Sequence, residues 1–294
     1  MVRPLARDED ALSPFWSFIG VLIVVFVVLA VYFGAIVPKF PPPAPRALPG
    51  DTVGVDYVGT FEDGLVFDTS LASVAEDNAS FPKAFSFSWR GSWSPLSFEI
   101  GKQPPAVIRG FEDAVQGLAV GDTITVRVPP DRGYGPADPA KIQVKPLFES
   151  VPARVTMNAS AFRAAYGTDA VGGSIVKDPF WGWTATVDVA GSIITVTNRP
   201  VPGGIVHPRG AWDAQVLSID SAADGGTGRI QVHHLLDASS VDRVGHRTGG
   251  SSGTVEFTVT AVDLAAGTYT LNFNDPTKGR VLVFQVTLVR IAAL

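Results

Sequence analysis

Asp51-Thr-Val-Gly-Val-Asp-Tyr57-Val-Gly-Thr-Phe-Glu-Asp-Gly64-Leu-Val-Phe67-Asp68-Thr-Ser70 is the stretch on which the reading of the whole chain turns. From Thr52 to Val58 apolar and polar residues alternate, the period of a strand with one buried face. Asp63-Gly64 is a hairpin turn signal, so Phe61 to Phe67 reads as strand, turn, strand. Leu96-Ser-Phe98-Glu-Ile100-Gly101 alternates in the same way. So does Thr123-Ile-Thr-Val126-Arg-Val128, which Pro129-Pro130 stops. Val281 to Val289 is a last strand close to the C-terminal Leu294. Between them, Phe111, Val115 and Leu118 stand at helical spacing and predict one or two amphipathic turns. The expectation is a mainly β (α+β) chain with short helices.

Composition narrows the function. The chain has 294 residues, enough for two domains give or take one. It is 46% hydrophobic and only 17% charged, which excludes a disordered chain. A net charge of -5 with no Lys/Arg run argues against nucleic acid as a partner. The absence of cysteine removes disulfides, thiolate metal sites and cysteine nucleophiles together. His207, His233, His234 and His246 lack ligand-type spacing, and adjacent His233 and His234 on a strand point to opposite faces.

No charged residue occurs between Asp10 and Lys39. Ile19 to Val37 is apolar or small throughout and, as a helix, is about 28 Å long, close to a bilayer's hydrocarbon thickness. The reading is an uncleaved single-pass anchor embedded in lipid through residues 19–37. A cleaved signal peptide is the alternative, but its apolar region is usually shorter. Trp16 and Tyr32-Phe33 suit the two interfaces. A short head before a large C-terminal part favours an extracytoplasmic domain. The expected segments are a head at 1–15, the anchor at 16–38 and a stiff Pro-rich spacer at 39–49.

From roughly 145 to 275 the composition shifts, with Gly172-Gly173, Gly203-Gly204, Gly225-Gly226 and Gly249-Gly250. A weak internal echo runs through this region. Val187-Asp-Val189 precedes Asn198-Arg-Pro200-Val-Pro-Gly203, and Val262-Asp-Leu264 precedes Asn274-Asp-Pro276-Thr-Lys-Gly279. Turn chemistry alone could produce it, so repeat and coincidence both stand. Ser160 to Tyr166 predicts a short helix capped by Ser160.

Four blocks in order resemble the FKBP-type peptidyl-prolyl cis-trans isomerases. They are Asp51–Ser70 itself; Val107-Ile108-Arg-Gly-Phe111-Glu-Asp-Ala114 with Gly117-Leu118-Ala-Val-Gly121-Asp122; Val126-Arg-Val-Pro-Pro130-Asp-Arg-Gly133-Tyr134-Gly135; and Gly279-Arg-Val-Leu-Val-Phe284-Gln-Val286. The resemblance implies an antiparallel sheet wrapped on a short helix, formed by 50–144 plus 277–294. About 145 residues separate the third block from the closing strand, which is similar to the SlyD-like branch with a chaperone domain inserted in the flap, here 145–276. A smaller insertion from Leu71 to Pro95, and Lys177-Asp-Pro-Phe180-Trp181-Gly-Trp183, resemble the long membrane-anchored archaeal members.

Carried over residue by residue, the resemblance places Tyr57, Phe67, Asp68, Val107, Ile108, Phe111, Tyr134 and Phe284 around a proline pocket, with Leu96 and Phe98 at its edge. Phe111 stands where the best-known members have tryptophan, and Leu96 replaces an aromatic at the pocket edge. The resemblance implies no cofactor and no metal. The partners it implies are unfolded or proline-containing polypeptides. Rotating an X–Pro amide crosses a barrier near 20 kcal/mol and needs no nucleophile, which suits an apolar cavity. In the insertion Phe180, Trp181, Trp183 and Trp212 exceed what one small β core needs. Exposed, they would form a patch for unfolded chains; buried, they are core. A holdase on the same scaffold with weak or no isomerase activity is the second reading.

Overall fold

The computed structural model describes residues 13–36, 44–251 and 253–292. The chain divides into two units, 1–45 and 46–294.

In the first unit, α1 (Ser13–Val31) continues into one π-helical turn at Tyr32–Ile36. Trp16–Ala35 is a 20-residue segment of mean hydropathy 2.9, none of it buried, long and apolar enough to cross a bilayer. Val37 and Pro38 of the expected anchor, residues 39–43 of the spacer and the head before Ser13 lie outside the described residues.

The second unit is built from β-sheets. β1 (Thr52–Thr60) organises the first of them. It pairs along its whole length with β17 (Leu282–Ala292), so the ends of this unit's chain lie side by side. Its other edge is shared: β3 (Leu96–Glu99) lies beside Thr52–Val55, and β2 (Val66–Thr69) beside Val58–Thr60. β4 (Thr123–Val128) completes the five-stranded antiparallel sheet on the far side of β17.

The helix anticipated around Phe111 is α3 (Arg109–Val115), which buries Phe111 and Val115 against the sheet. A Cβ at Gly110 would stand 2.5 Å from Val128 Cγ1, so only glycine allows helix and β4 this close. Val53, Val55, Phe98, Val115, Leu282, Val286 and Leu288 fill the space between.

The smaller insertion carries α2 (Ala72–Glu76) and a satellite core of Val66, Val74, Ala75 and Phe87. It clasps β2 through Val66 N–H to Pro82 O (2.9 Å) and Ala84 N–H to Val66 O (2.9 Å).

The large insertion is three nested modules. On the way out the chain lays down β5 (Ile142–Pro146), β6 (Phe148–Pro152) and β7 (Arg154–Met157), one strand for each future sheet. On the way back it adds three strands to each in reverse order. The outermost sheet runs β7-β10-β9-β8, from β8 (Ile175–Lys177), β9 (Thr184–Ala190) and β10 (Ile193–Asn198). The middle one runs β6-β13-β12-β11, from β11 (Ile205–Val206), β12 (Ala214–Asp220) and β13 (Arg229–His234). The innermost runs β5-β16-β15-β14, from β14 (Gly245–Thr248), β15 (Thr254–Asp263) and β16 (Thr268–Asn272). In each, the outgoing strand pairs with the last returning one.

The same order occurs three times, and the sequence echo falls on it. Val187–Val189 lies in β9, and Val262-Asp263 ends β15, the equivalent strand. Each module also closes on a buried polar residue near the end of its last strand. Asn198 donates its side-chain amide to Pro152 O (3.0 Å), His234 donates N–H to Leu147 O (2.8 Å), and Asn274 donates to Asp138 O (3.0 Å).

One expectation needs correction, and one open alternative is decided. α4 (Ala159–Tyr166) is capped by Asn158, whose Oδ1 accepts from Ala161 N–H at 2.8 Å; Ser160 lies inside the first turn and donates its hydroxyl to the same Oδ1. Trp181 and Trp183, each 5% exposed and stacked at 4.9 Å, belong to the middle module's core and form no surface patch. Trp212, 6% exposed, fills the innermost core. Three small cores rather than one account for the number of aromatic residues.

The insertions also meet. Phe85 N–H donates to Asp242 O (2.7 Å), and the Arg247 guanidinium donates to Phe85 O (2.7 Å) and Phe87 O (3.1 Å). Asp242, buried, forms a bidentate pair with Arg280 at 2.7 Å on both arms, and Arg280 lies 3.7 Å over the Phe61 ring.

Candidate functional site

Alternation along β1 sends Tyr57 into the first core and leaves Asp56 and Val58 half-buried. β17 contributes Phe284 from the adjacent strand, where Gly59 faces it. A Cβ at Gly59 would lie 2.8 Å from Phe67 Cζ and 2.9 Å from Phe284 Cε1. The missing side chain is therefore what lets those two rings close on the sheet.

The result is a chain of aromatic rings. Phe67 stacks on Phe61 at 5.0 Å and meets Phe284 edge-on at 5.6 Å. Phe284 meets Phe111 edge-on at 5.1 Å, and Phe111 meets Tyr57 edge-on at 5.6 Å. These are the separations at which aromatic quadrupoles attract. Above Phe111 lies a cavity of about 250 Å³ lined by Tyr57, Asp68, Arg90, Leu96, Ala106, Val107, Ile108, Phe111, Tyr134 and Phe284.

Polar groups gather at one side of its mouth. The Tyr57 hydroxyl donates to Asp68 Oδ2 at 2.7 Å, and Thr69 N–H donates to Asp68 Oδ1 at 2.9 Å. The Arg90 guanidinium pairs with Asp68 and reaches the Tyr57 oxygen at 3.4 Å. Burial, and then the charge of Asp68, push the Tyr57 phenol above its ordinary range. The Tyr134 phenol is also raised, first by burial and then by Asp68 and Asp275. Both are neutral at ordinary pH and can donate. The Ile108 N–H, at the residue preceding α3, has no hydrogen-bond partner among the described residues.

The structure brings together seven of the eight residues expected around the pocket, and Leu96 with them. Phe67 stands one layer back, supporting Phe284, and lines a neighbouring cavity instead. Phe98 is buried behind Phe111 at 6.1 Å and does not reach the cavity. Phe180, Trp181 and Trp183 are remote from it and border a separate concavity of about 920 Å³ between the outer and middle modules.

Arg90 and Ala106 were not anticipated. The available signal for Arg90 was its place as the sole cation between Ala84 and Gly101, flanked by Trp89 and Trp93. It lies 5.7 Å over the Trp93 ring. No cluster of three or more His, Asp or Glu side chains that could hold a metal occurs among the described residues.

Residues 44–148 match the family model for FKBP-type peptidyl-prolyl cis-trans isomerases, so the chain carries an FKBP-type domain. It is 40% identical over 98 residues to the short-type peptidyl-prolyl cis-trans isomerase of Methanocaldococcus jannaschii, covering 33% of this chain and 56% of that protein. It is 33% identical over 91 residues to FK506-binding protein 2 of Candida glabrata, covering 31% and 52%. The chain thus spans about half the length of the curated relatives it matches. The matched model ends at residue 148, before most of the large insertion and before Phe284.

Proposed function

We propose that this chain is a membrane-anchored peptidyl-prolyl cis-trans isomerase that assists protein folding, with an insertion that takes hold of unfolded chains. The observation that carries the catalytic part is a cavity floored by aromatic rings with a backbone donor at its wall, Ile108 N–H, that has no partner among the described residues. A planar X–Pro amide is the more charge-separated state, and twisting about C–N removes that separation. An apolar surround of Phe111, Phe284, Val107 and Leu96 therefore penalises the planar ground state more than the twisted one. The Ile108 N–H is placed to hold the substrate carbonyl, with the neutral Tyr134 hydroxyl nearby. Asp68, tied by Tyr57, Thr69 N–H and Arg90, fixes the polar rim and does not transfer a proton.

Relatives named as peptidyl-prolyl isomerases support this reading. So does the length of the apolar helix for the anchor. For the insertion, Val201 (71% exposed) and Ile205 (47%) rim the 920 Å³ concavity that Phe180 also borders. β11, which contains Ile205, is an edge strand with an open side. These features suit an extended apolar chain. The same exposed rim favours a holdase if the cavity proves inactive.

The test uses the full chain in lipid nanodiscs with an X–Pro peptide and, separately, a reduced unfolded protein. Isomerisation that Phe111→Ala abolishes, together with client binding that Val201→Lys and Ile205→Lys weaken, is expected. Client binding without isomerisation would leave the holdase, and neither would reject the proposal. Protease protection in sealed membranes addresses the extracytoplasmic placement.

A further inference from the structure

A second cavity, of about 550 Å³, lies where the smaller insertion meets the innermost module. Its walls are Ser86 and Ser88 from the smaller insertion, Thr254 and Val255 at the start of β15, the Phe273–Thr277 segment leading to β17, and Phe67. We infer that this cavity is an extension subsite that binds the stretch of substrate main chain next to the proline, so that the preferred substrate is an extended polypeptide rather than a short peptide. The inference rests on the isomerase reading of the proline pocket.

Three observations place the same substrate in both cavities. First, they share a wall: Phe67 lines the second cavity and packs edge-on against Phe284, which lines the first. Second, residues near in sequence divide between them. Ser88 borders the second cavity and Arg90 the first; Phe67 borders the second and Asp68 the first. Third, the charge of Asp275 in the second cavity acts, after burial and Asp68, to raise the phenol of Tyr134 in the first.

The lining also indicates the kind of ligand. Its cation is already engaged, and its carboxylate in part. Arg247 donates to the carbonyls of Phe85, Phe87 and Gly253, and an Asp275 oxygen accepts from Thr277 N–H at 3.0 Å and from the Thr277 hydroxyl. What remains is a mixture of short hydroxyl side chains (Ser88, Thr254) and apolar surface (Val255, Phe273, Phe67). Such a surface meets the alternating amide and side-chain character of an extended polypeptide and gives an ion little to hold. At 550 Å³ the cavity exceeds the 250 Å³ proline pocket and admits several flanking atoms groups rather than one ring.

The experiment compares three peptides on the full chain in nanodiscs: Ala-Leu-Pro-Phe, the same peptide preceded by Ser-Thr-Ala, and the same peptide followed by Ser-Thr-Ala. Extension on one side is expected to raise kcat/KM about tenfold, and extension on the other side to do little. In Thr254→Trp and in Ser88→Trp, which fill the cavity, the ratio of extended to short peptide should fall to about one. An unchanged ratio in both variants, or no gain from either extension, would overturn the subsite. Failure to isomerise Ala-Leu-Pro-Phe at all would count against the isomerase reading instead. In that event fluorescence anisotropy of the labelled peptides still decides the subsite, by the same ratio of affinities.

Discussion

Replacing Gly59 with alanine perturbs the candidate site without removing any group from it. The added Cβ would sit 2.8 Å from Phe67 Cζ, 2.9 Å from Phe284 Cε1 and 3.2 Å from Phe284 Cδ1. Carbon atoms pack best at about 3.5–4.0 Å, so each ring must retreat by roughly 0.6 Å or more. Each ring is backed by another ring on one side and can retreat only toward the cavity it borders. Phe67 is stacked on Phe61, which carries Arg280 over its face, and Phe284 is wedged against Phe111. Overpacking of this kind costs about 1–3 kcal/mol of stability.

The cost to activity should be larger in proportion, because Phe284 forms the pocket wall, and displacements near 1 Å at a reacting site can cost up to about a hundredfold. The assay pairs urea unfolding with isomerisation of an X–Pro peptide. Gly64→Ala is the control. Gly64 has φ +87° with nothing within 4 Å of a Cβ, so it loses stability through backbone strain, by about 1–2 kcal/mol, while the pocket stays intact. The expected result is a similar loss of stability in both and a tenfold or greater loss of kcat/KM in Gly59→Ala alone. Equal activity in the two would refute the argument that the ring chain positions the pocket.

Further outcomes follow from other contacts. Trp212 donates its indole N–H to His234 Nδ1 at 2.9 Å, which leaves the imidazole proton on Nε2, 3.1 Å from Glu149. Trp212→Phe strands that buried acceptor, and hydrogen exchange should show the insertion loosened by about 1–3 kcal/mol, while protection of α3 is unchanged. Asp242→Asn breaks the buried pair with Arg280. It should cost about 3 kcal/mol and raise exchange at residues 85–88, and unaltered exchange there would separate this pair from the docking of the two insertions. Tyr57 and Tyr269 are both raised above the ordinary phenol range, in each case chiefly by burial. Unfolded phenols ionise near pH 10 and these later, so their contribution is fully present below about pH 10 and is lost as pH rises beyond it. Urea midpoints measured from pH 9 to 11.5 should fall less steeply in Tyr57→Phe; an identical slope would contradict the assignment.

The first sheet was readable because its strands carry period-two alternation on one buried face and its turns carry Asp-Gly and Pro-Pro. The cavity above Phe111 was readable only through the resemblance, since Tyr57, Phe111 and Phe284 taken singly look like core. Phe67 and Phe98 are core in fact, one ring behind the cavity. Arg90 was missed because its position depends on the path of the smaller insertion, which no local pattern specifies. The fate of Trp181 and Trp183 was not legible either. Whether aromatic residues are buried depends on how many cores share them, and the nested path that creates three cores is a matter of long-range pairing. The echo at Asn198 and Asn274 was the local trace of that path. The middle module closes on His234 instead, which hid the third copy.

Acceleration of prolyl rotation by the cavity above Phe111, through desolvation and the Ile108 N–H, is the part of the proposed function most open to direct test. Ile108 has φ −64°, already that of proline, and its N–H is unpaired within the described fold. Ile108→Pro therefore deletes the donor while sparing the backbone path. Exchange NMR of an X–Pro peptide with the full chain should show rapid cis–trans interconversion for the native protein, and a loss of about tenfold or more in folded Ile108→Pro. No acceleration by the folded native chain, or full activity in the variant, would contradict the account.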